Sequence, residues 1–524
     1  MESRKCPHPT IFLFSRARFL LLLVTLLIFL QPRILFDNSD SNDKFELTKS
    51  LLLKRSVLIP NPSPPPSETP ALHPPGQSIA QAPLFLASRI FLAARRAIDC
   101  PLLNRYFRKP GIVEGRFVNL FNTLVLAGLI ALFWKFLLKR GYSEKTALKT
   151  CALLSLCTIL FPYARGNFSE PLVALCLFGS FFLISDLPGD RGGWGRSLGA
   201  GLCSAGAIIT RGEMIFPAVI LGFYLYARIA RKEGKKSGNE SSLKKILHPL
   251  KNPEQLRFIG LYFLGCAFGL FLLLLYNRAR YGEWFSFGYK AGYFTTPLWI
   301  GLYQLVLSPG KGYFVYSPVM LLCILGGRRY FRRYPLEGGL VLAFTGWFLL
   351  FYSSWFLPSG DISWGPRFLV PLTPFLGLFL APVFAGRGEA ASAGDVLRRS
   401  PFRKMAIALV FLSVMANLLE AGTWYAFAWC NTARERGIPI HLGDKEYMDY
   451  MARQHYSFIE SPLRMQAEYI LRGQINLLFL KQKGRYWWPR FSGCLLLVFL
   501  AFQLVYAYQI KYRNKKSSPL NLRE

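Results

Sequence analysis

Apolar residues in this chain gather in runs of about 15–22 residues, separated by short basic or aromatic loops. A helix needs about 20 such residues to cross the hydrocarbon core of a bilayer. Inside lipid, only helices and closed barrels satisfy their own backbone hydrogen bonds. This patterning constrains the fold more than the length of 524 residues does. Length alone would suggest several soluble domains. With 52% of residues hydrophobic, a soluble enzyme and a disordered chain are both disfavoured. The expected fold is an all-α polytopic membrane protein, a bundle of about twelve transmembrane helices.

The runs fall at 18–36, 117–138, 146–162, 169–185, 197–210, 213–228, 257–276, 313–327, 338–357, 367–385, 405–424 and 491–510. Several are short, so tilt or partial burial within protein is expected. The first is followed by "QPRILFDNSD" rather than by a small-residue cleavage site, which favours an uncleaved span over a signal peptide. Arg4, Lys5, Arg16 and Arg18 flank it on one side and acidic residues from Asp37 to Asp43 on the other. The loops "LKRGYSEK", "RKEGKKSGNESSLKKILHPLK", "RRYFRRYP" and "GRGEAASAGDVLRRSPFRK", with the tail "KYRNKKSS", all fall on one side of the alternation and are basic; of that side, only "DLPGDRGGWGRS" is not clearly so. Basic loops stay in the cytoplasm, which places both termini there. The expected layout is a cytoplasmic N-terminus (1–17), a first span (18–36) and a first extracytoplasmic loop (37–116). A core of about ten helices (117–424), an outer loop (425–490), a last span (491–510) and a basic tail (511–524) follow.

Lys and Arg number 63 against 29 Asp and Glu, a net charge of +34. Since much of that surplus lies in the cytoplasmic loops, it reports topology and contact with anionic lipid, and the nucleic-acid reading falls away. Seven of the ten cysteines lie in or at the ends of the runs, as small apolar residues. Cys100 and Cys430 fall on the outer side and could pair, and no Cys or His spacing demands a metal.

Three outer segments exceed what a connector needs. The first, 37–116, continues past "PNPSPPPSETP", a polyproline spacer, to "APLFLASRIFLAARRAI", whose helical spacing suits the membrane interface. The second is the aromatic 277–312 and the third the polar 431–490. An enzyme working at the outer surface needs such ordered material, whereas a channel rarely does. The halves show no repeat, which counts against a transporter built from inverted repeats.

Candidate chemistry sits on these segments. "DNSDSNDKFELTKSLL" offers Asp37, Asp40, Asp43 and Glu46, the last three spaced so that a helix puts them on one side. A carboxylate there can take a proton from an acceptor hydroxyl. The bland reading is a solvated acidic loop or a helix start. In "PSGDISWGPRFLVPLTPF", Arg367 beside Asp361 and Trp364 can hold a phosphate by paired N–H donors, or anchor the interface by snorkelling. "ITRGEMIF" places Arg211 and Glu213 at an outer helix end, as a self-satisfied pair or as functional charge. "ARGNFSEPLVAL" presents Arg165 and Glu170 where a helix begins. Arg278 in "YNRARYG" and Lys311 in "SPGKG" lie among aromatic rings that suit sugars, lipid phosphates or simple anchoring. "SPGKG" lacks the strand–loop–helix context of a nucleotide-binding loop.

Taken in order, "SNDKFELTKSLLLKRSVLIP", "PPGQSIAQAPLFL", "FSEPLVAL", "YNRARYG", "GLYQLVLSPGKGYFVYSP" and "WGPRFLVPLTPF" resemble segments of the GT-C membrane glycosyltransferases. The chain is most similar in these to the bacterial dolichyl-phosphate-mannose-protein mannosyltransferase-like (family 39-like) group, over about residues 41–375. The resemblance implies a GT-C-like helix bundle with interfacial helices in its first outer loop. It implies transfer of a sugar from a polyprenyl-phosphate-linked donor to a glycan, lipid or protein acceptor on the extracytoplasmic face of a bacterial inner membrane. The implied base is an acid of the first outer loop, with Asp43 the best positional match and Asp40 the second. Lys44 follows Asp43 where a small or acidic residue is expected. Arg367 is the first candidate for the donor phosphate, then Arg211, Lys311 and Arg278. Glu170, Glu213, Asp361, Trp364 and Tyr276 are expected to orient the groups. The outer carboxylates could hold a divalent metal, which no ligand spacing requires. The rival readings are a lipid-linked polysaccharide polymerase or ligase, which suits the late loop 431–490, and a lipid or solute transporter, which would need more charge in mid-span.

Overall fold

The computed structural model describes residues 9–32, 39–61, 67–98, 109–185, 193–236, 252–288, 291–360, 362–386, 388–389, 400–423, 425–440 and 444–474. Within them the chain is overwhelmingly helical, and its one small sheet is a two-stranded hairpin. The apolar pattern accounts for this. Five helical stretches among the described residues are long and apolar enough to cross a membrane: Pro110–Lys139, Gly212–Lys232, Pro253–Tyr281, Pro335–Ser353 and Pro401–Gly422. They leave large apolar side chains facing outward, among them Phe223, Leu264, Phe271, Leu342 and Ile407. Such faces cannot remain in water, so the architecture is that of a polytopic membrane protein.

The shorter expected runs find their explanation in burial. Glu170–Ile184 and Thr373–Phe384 are apolar helices of less than spanning length, and most of their residues are enclosed by neighbouring helices. The run at 313–327 is not one helix. Pro318 ends a single turn at Tyr313–Tyr316, a 3₁₀ turn follows, and a helix resumes at Leu322–Arg333. The last expected span and the tail, with Asp361 and Cys100, lie outside the described residues.

Small residues and hydroxyls hold the core together. Gly193–Thr210 packs along Pro253–Tyr281 and Glu170–Ile184. A Cβ on Gly265 would strike the backbone at Gly201, and one on Gly269 would strike Ala205. Four-residue spacing of small side chains on both helices lets the backbones touch, the usual solution where lipid offers no hydrophobic drive for helix pairing. Ser204 joins the Ser180 and Tyr262 hydroxyls at 2.9 and 3.0 Å, and Tyr262 donates to the Ala218 carbonyl at 2.6 Å.

Two polar layers close the bundle at opposite ends. At one end, Glu337 accepts from Arg140 and Arg228, both at 3.1 Å. The basic segments around Arg140 and Arg333 therefore share a face. At the other end, Asn119, Asn122 and Thr123 donate to the carbonyls of Arg165, Gly166, Phe168 and Ala164. Arg165 donates to the Leu30 carbonyl at 2.9 Å. This stitching fixes the turn that precedes Glu170. The helix Pro335–Ser353 runs between the layers, with Glu337 in the first and Tyr352 in the second, about 22 Å apart.

The segment between the first expected span and Pro110 packs onto the second layer. It forms a helix at Ser39–Lys49, a π-helical turn at Ser50–Lys54 and helices at Gly76–Ala80 and Ala82–Ile98. Between them, the flanks of the proline-rich stretch pair as antiparallel strands, Leu58–Asn61 against Ser67–Pro70; the expected polyproline run at 62–66 lies outside the described residues. Ala82–Ile98 buries Phe85, Ser88 and Leu92 and exposes Leu86, Ile90 and Ile98, as an interfacial helix should.

Candidate active site

The helix Ser39–Lys49 carries Asp40, Asp43 and Lys44 at i, i+3 and i+4, so one side of it presents all three. Its rotation is fixed from beneath. Ser41 donates to the Asn167 carbonyl and Asn167 returns a bond to the Ser41 carbonyl, both at 3.3 Å. Gln77 donates to the Asn167 side chain at 2.9 Å. The Lys44 carbonyl accepts from Thr48, Ser78 and Gln81 at 2.8, 2.9 and 3.1 Å. Gly76 lies so close to Thr210 that any side chain there would collide with it. The loop is thus docked on the end of the helix Gly193–Thr210.

A continuous line of ion pairs starts from Asp40. One carboxylate oxygen accepts from Arg367 at 2.6 Å, and the other lies 3.1 Å from His73 Nε2. Arg367 Nε lies 3.8 Å from Glu170, which accepts from Arg211 at 2.7 Å. Arg211 also donates to Glu213 at 2.7 Å, and Glu213 accepts from the Tyr352 hydroxyl at 2.8 Å. The Phe368 ring sits in the middle, 4.9 and 5.0 Å from the two guanidiniums and stacked on Tyr352 at 4.4 Å. Such cation–π contacts hold the planar cations in place.

Local backbone explains how Arg367 arrives there. It opens a 3₁₀ turn whose first amide donates to the Ser359 carbonyl at 3.2 Å. Its side chain lies across Gly360, where a Cβ would collide with it and where φ is +83°. Only glycine suits both conditions.

The two aspartates differ electrostatically. Burial alone would raise the Asp40 pKa, but Arg367 and then His73 outweigh it and hold the carboxyl well below its usual range. Asp43 forms no ion pair or hydrogen bond among the described residues. Burial raises its pKa; His73 pulls against that rise, and the neighbouring Asp40 charge adds to it. Burial lowers the Lys44 pKa, against the pull of Asp40 and Glu170. Asp40 is therefore a committed anion, and Asp43 is the carboxylate with proton-accepting capacity to spare.

The structure brings Asp40, Asp43, Glu170, Arg211, Glu213 and Arg367 together. Tyr276 stands one step away and donates to the His73 carbonyl at 3.4 Å. Trp364 and Lys311 lie in an adjoining buried region. There Tyr163 donates to the Trp364 carbonyl at 2.8 Å, and Lys311 donates to Ser363 and sits 4.7 Å over the Tyr425 ring. Arg278 is exposed on its helix. Its neighbour Arg280 is the buried one, and donates to the Ala71 and Leu72 carbonyls, both at 2.9 Å. His73, Lys44, Asn167, Tyr352 and Arg280 complete the site and were not among the residues expected from sequence. His73 and the Gln77–Gln81 turn do fall at or beside the phrase "PPGQSIAQAPLFL", which is where a signal for them lay. Among the described residues no three His, Cys, Asp or Glu side chains are grouped to hold a metal ion.

No protein-family model matches the sequence, and no curated protein does. Among solved structures, the chain is similar to ArnT from Cupriavidus metallidurans in the apo state, at 14% identity and a TM-score of 0.48, over 88% of this chain and 74% of that one. It is similar to the same protein bound to undecaprenyl phosphate, at 13% and 0.45, over 89% and 79%. It is also similar to the archaeal oligosaccharyltransferase AglB from Archaeoglobus fulgidus, in complex with an inhibitory peptide and a dolichol-phosphate, at 11% and 0.45. That likeness covers 86% of this chain and 60% of AglB.

Proposed function

We propose that this chain is an integral membrane glycosyltransferase that moves a sugar, of mannose type, from a polyprenyl-phosphate donor to an acceptor on the extracytoplasmic face. In this reading the protein resides in a bacterial inner membrane with both termini cytoplasmic. The observation that carries it is the pairing of an uncommitted carboxylate, Asp43, with a half-buried line of guanidiniums one helical turn away. Inverting transfer needs those two things: a base for the acceptor hydroxyl and positive charge for the leaving phosphate.

The acceptor oxygen attacks the anomeric carbon through an oxocarbenium-like state. Its proton passes to Asp43. The bond from that carbon to the phosphate oxygen breaks, and the electron pair leaves with the lipid phosphate. Arg367 faces that phosphate, with Arg211 behind it, and the lipid tail of the donor accounts for a site at the membrane surface. Asp40 and Glu170 hold Arg367 from two sides. His73, held by Tyr276, supports Asp40.

The test is transfer by the purified full-length protein from polyprenyl-phosphate carrying radiolabelled mannose. The label should leave the lipid, and Asp43→Asn should abolish this with unchanged expression. Full turnover in that variant would remove Asp43 as the base. Retention of the sugar with every polyprenyl-phosphate donor tried would overturn the enzyme reading itself.

A further inference from the structure

A second feature lies at the far end of the bundle. A groove of about 590 Å³ opens between the helices Leu322–Arg333, Pro335–Ser353 and Thr373–Phe384. Its floor is apolar, including Cys323, Leu376 and Phe379. Its rim carries Ile324 and Leu342, 70% and 55% exposed. Gly327 lies against the Phe379 ring, where a Cβ would come within 3.3 Å of it, and both line the groove. At one end stand Arg328 and Arg332, one helical turn apart and both exposed.

Neither arginine forms an ion pair or a hydrogen bond among the described residues. The acid nearest to them in sequence, Glu337, is already taken by Arg140 and Arg228. Among the described residues, no Asp or Glu lines the groove. Two cations without a partner among the described residues thus cap an apolar trough. From Cys323 to Arg332 the helix rises about 14 Å, close to the depth of one leaflet's hydrocarbon. The arginines lie in the polar layer of Glu337, about 22 Å along Pro335–Ser353 from the site at Tyr352. This groove is therefore separate from the ion-pair line.

We propose that the groove binds one anionic phospholipid of the leaflet on the Glu337 side, its phosphate on Arg328 and Arg332 and one acyl chain along the floor. Charge selects the headgroup, and the length of the trough matches a single leaflet. The proposal does not depend on the glycosyltransferase reading.

The experiment is native mass spectrometry of the full-length protein, titrated with dioleoyl phosphatidylglycerol or dioleoyl phosphatidylcholine. Wild type should retain phosphatidylglycerol at least tenfold more tightly. Two basic side chains near a lipid headgroup support a difference of about thirtyfold. Arg328→Gln with Arg332→Gln should bring the two lipids level, and the paired Lys substitutions should keep the preference. Gly327→Trp should displace both lipids. Because the arginines are exposed, the Gln pair should remain monodisperse, so a lost preference would not reflect misfolding. Equal retention of both lipids by wild type, or an unchanged preference in the Gln pair, would overturn the proposal. So would quantitative cross-linking of Leu342→Cys to a cysteine placed in 491–510, which would put that segment in the groove.

Discussion

Removing the charge on Asp40 tests the ion-pair line most directly. Arg367 and Asp40 meet at 2.6 Å, with side chains 14% and 21% exposed. Two unit charges about 4 Å apart attract by about 4 kcal/mol at an effective dielectric of about 20. Partial solvent contact at both groups reduces that by roughly half. Asp40→Asn keeps an acceptor for Arg367 but loses the charge, so it should cost about 2 kcal/mol, and Arg367→Gln a similar amount. The sharper quantity is the coupling. The double variant should be about 2 kcal/mol more stable than the sum of the two single losses implies, because each single change strands the other charge. Reversible unfolding of the purified protein in mixed detergent micelles would measure all four forms of the cycle. Strict additivity, with coupling below about 0.5 kcal/mol, would refute the claim that Asp40 serves as the anchor of Arg367.

Four further predictions concern other features of the structure. Because the fold raises the Asp43 pKa above 3.8, ionising it costs folding free energy. Stability should fall as pH rises from 3.8 through the raised value, while kcat/KM should rise over the same interval. Asp43→Asn should then melt higher than wild type at neutral pH, and an unshifted or lower Tm would contradict this. The Asp40 carboxyl is shifted the other way, so its stabilising contribution should persist above pH 3.8 and disappear only as pH falls through its lowered value. Gly265→Val should force the helices around Gly201 apart and cost more than about 2 kcal/mol, seen as loss of monodisperse protein, whereas Gly260→Ala, where space is open, should be tolerated. Arg280→Gln strands the Ala71 and Leu72 carbonyls and should cost about 2–3 kcal/mol. Its signature would be faster proteolysis within 67–80 with the bundle intact, and equal cleavage rates would count against Arg280 as the pin of that segment.

The membrane architecture was legible in the sequence because it rests on local quantities: run length, basic loops and the proline and glycine breaks. The spacing of Asp40 and Asp43 was legible for the same reason, since a helix places i and i+3 together whatever surrounds it. Gly201, Ala205, Gly265 and Gly269 also stood in plain view, but small residues acquire meaning only once two particular helices face each other. The hairpin around the proline-rich stretch was hidden because strand pairing is settled between segments rather than within one.

Sequence by itself thus determined that this chain crosses a membrane and that Asp40 and Asp43 share one side of a helix. Tertiary structure alone decided which charges meet. Asp40 and Arg367 lie 327 positions apart, and nothing local to either specifies that one will neutralise the other. That depends on the Asn119–Asn122 stitching, the Gly76–Thr210 contact and Gly360 under the arginine. The same packing that commits Asp40 to Arg367 leaves Asp43, one turn further along the same helix, half-buried beside a negative charge. The difference between two aspartates of one short helix comes from long-range contacts, which a sequence specifies but does not display.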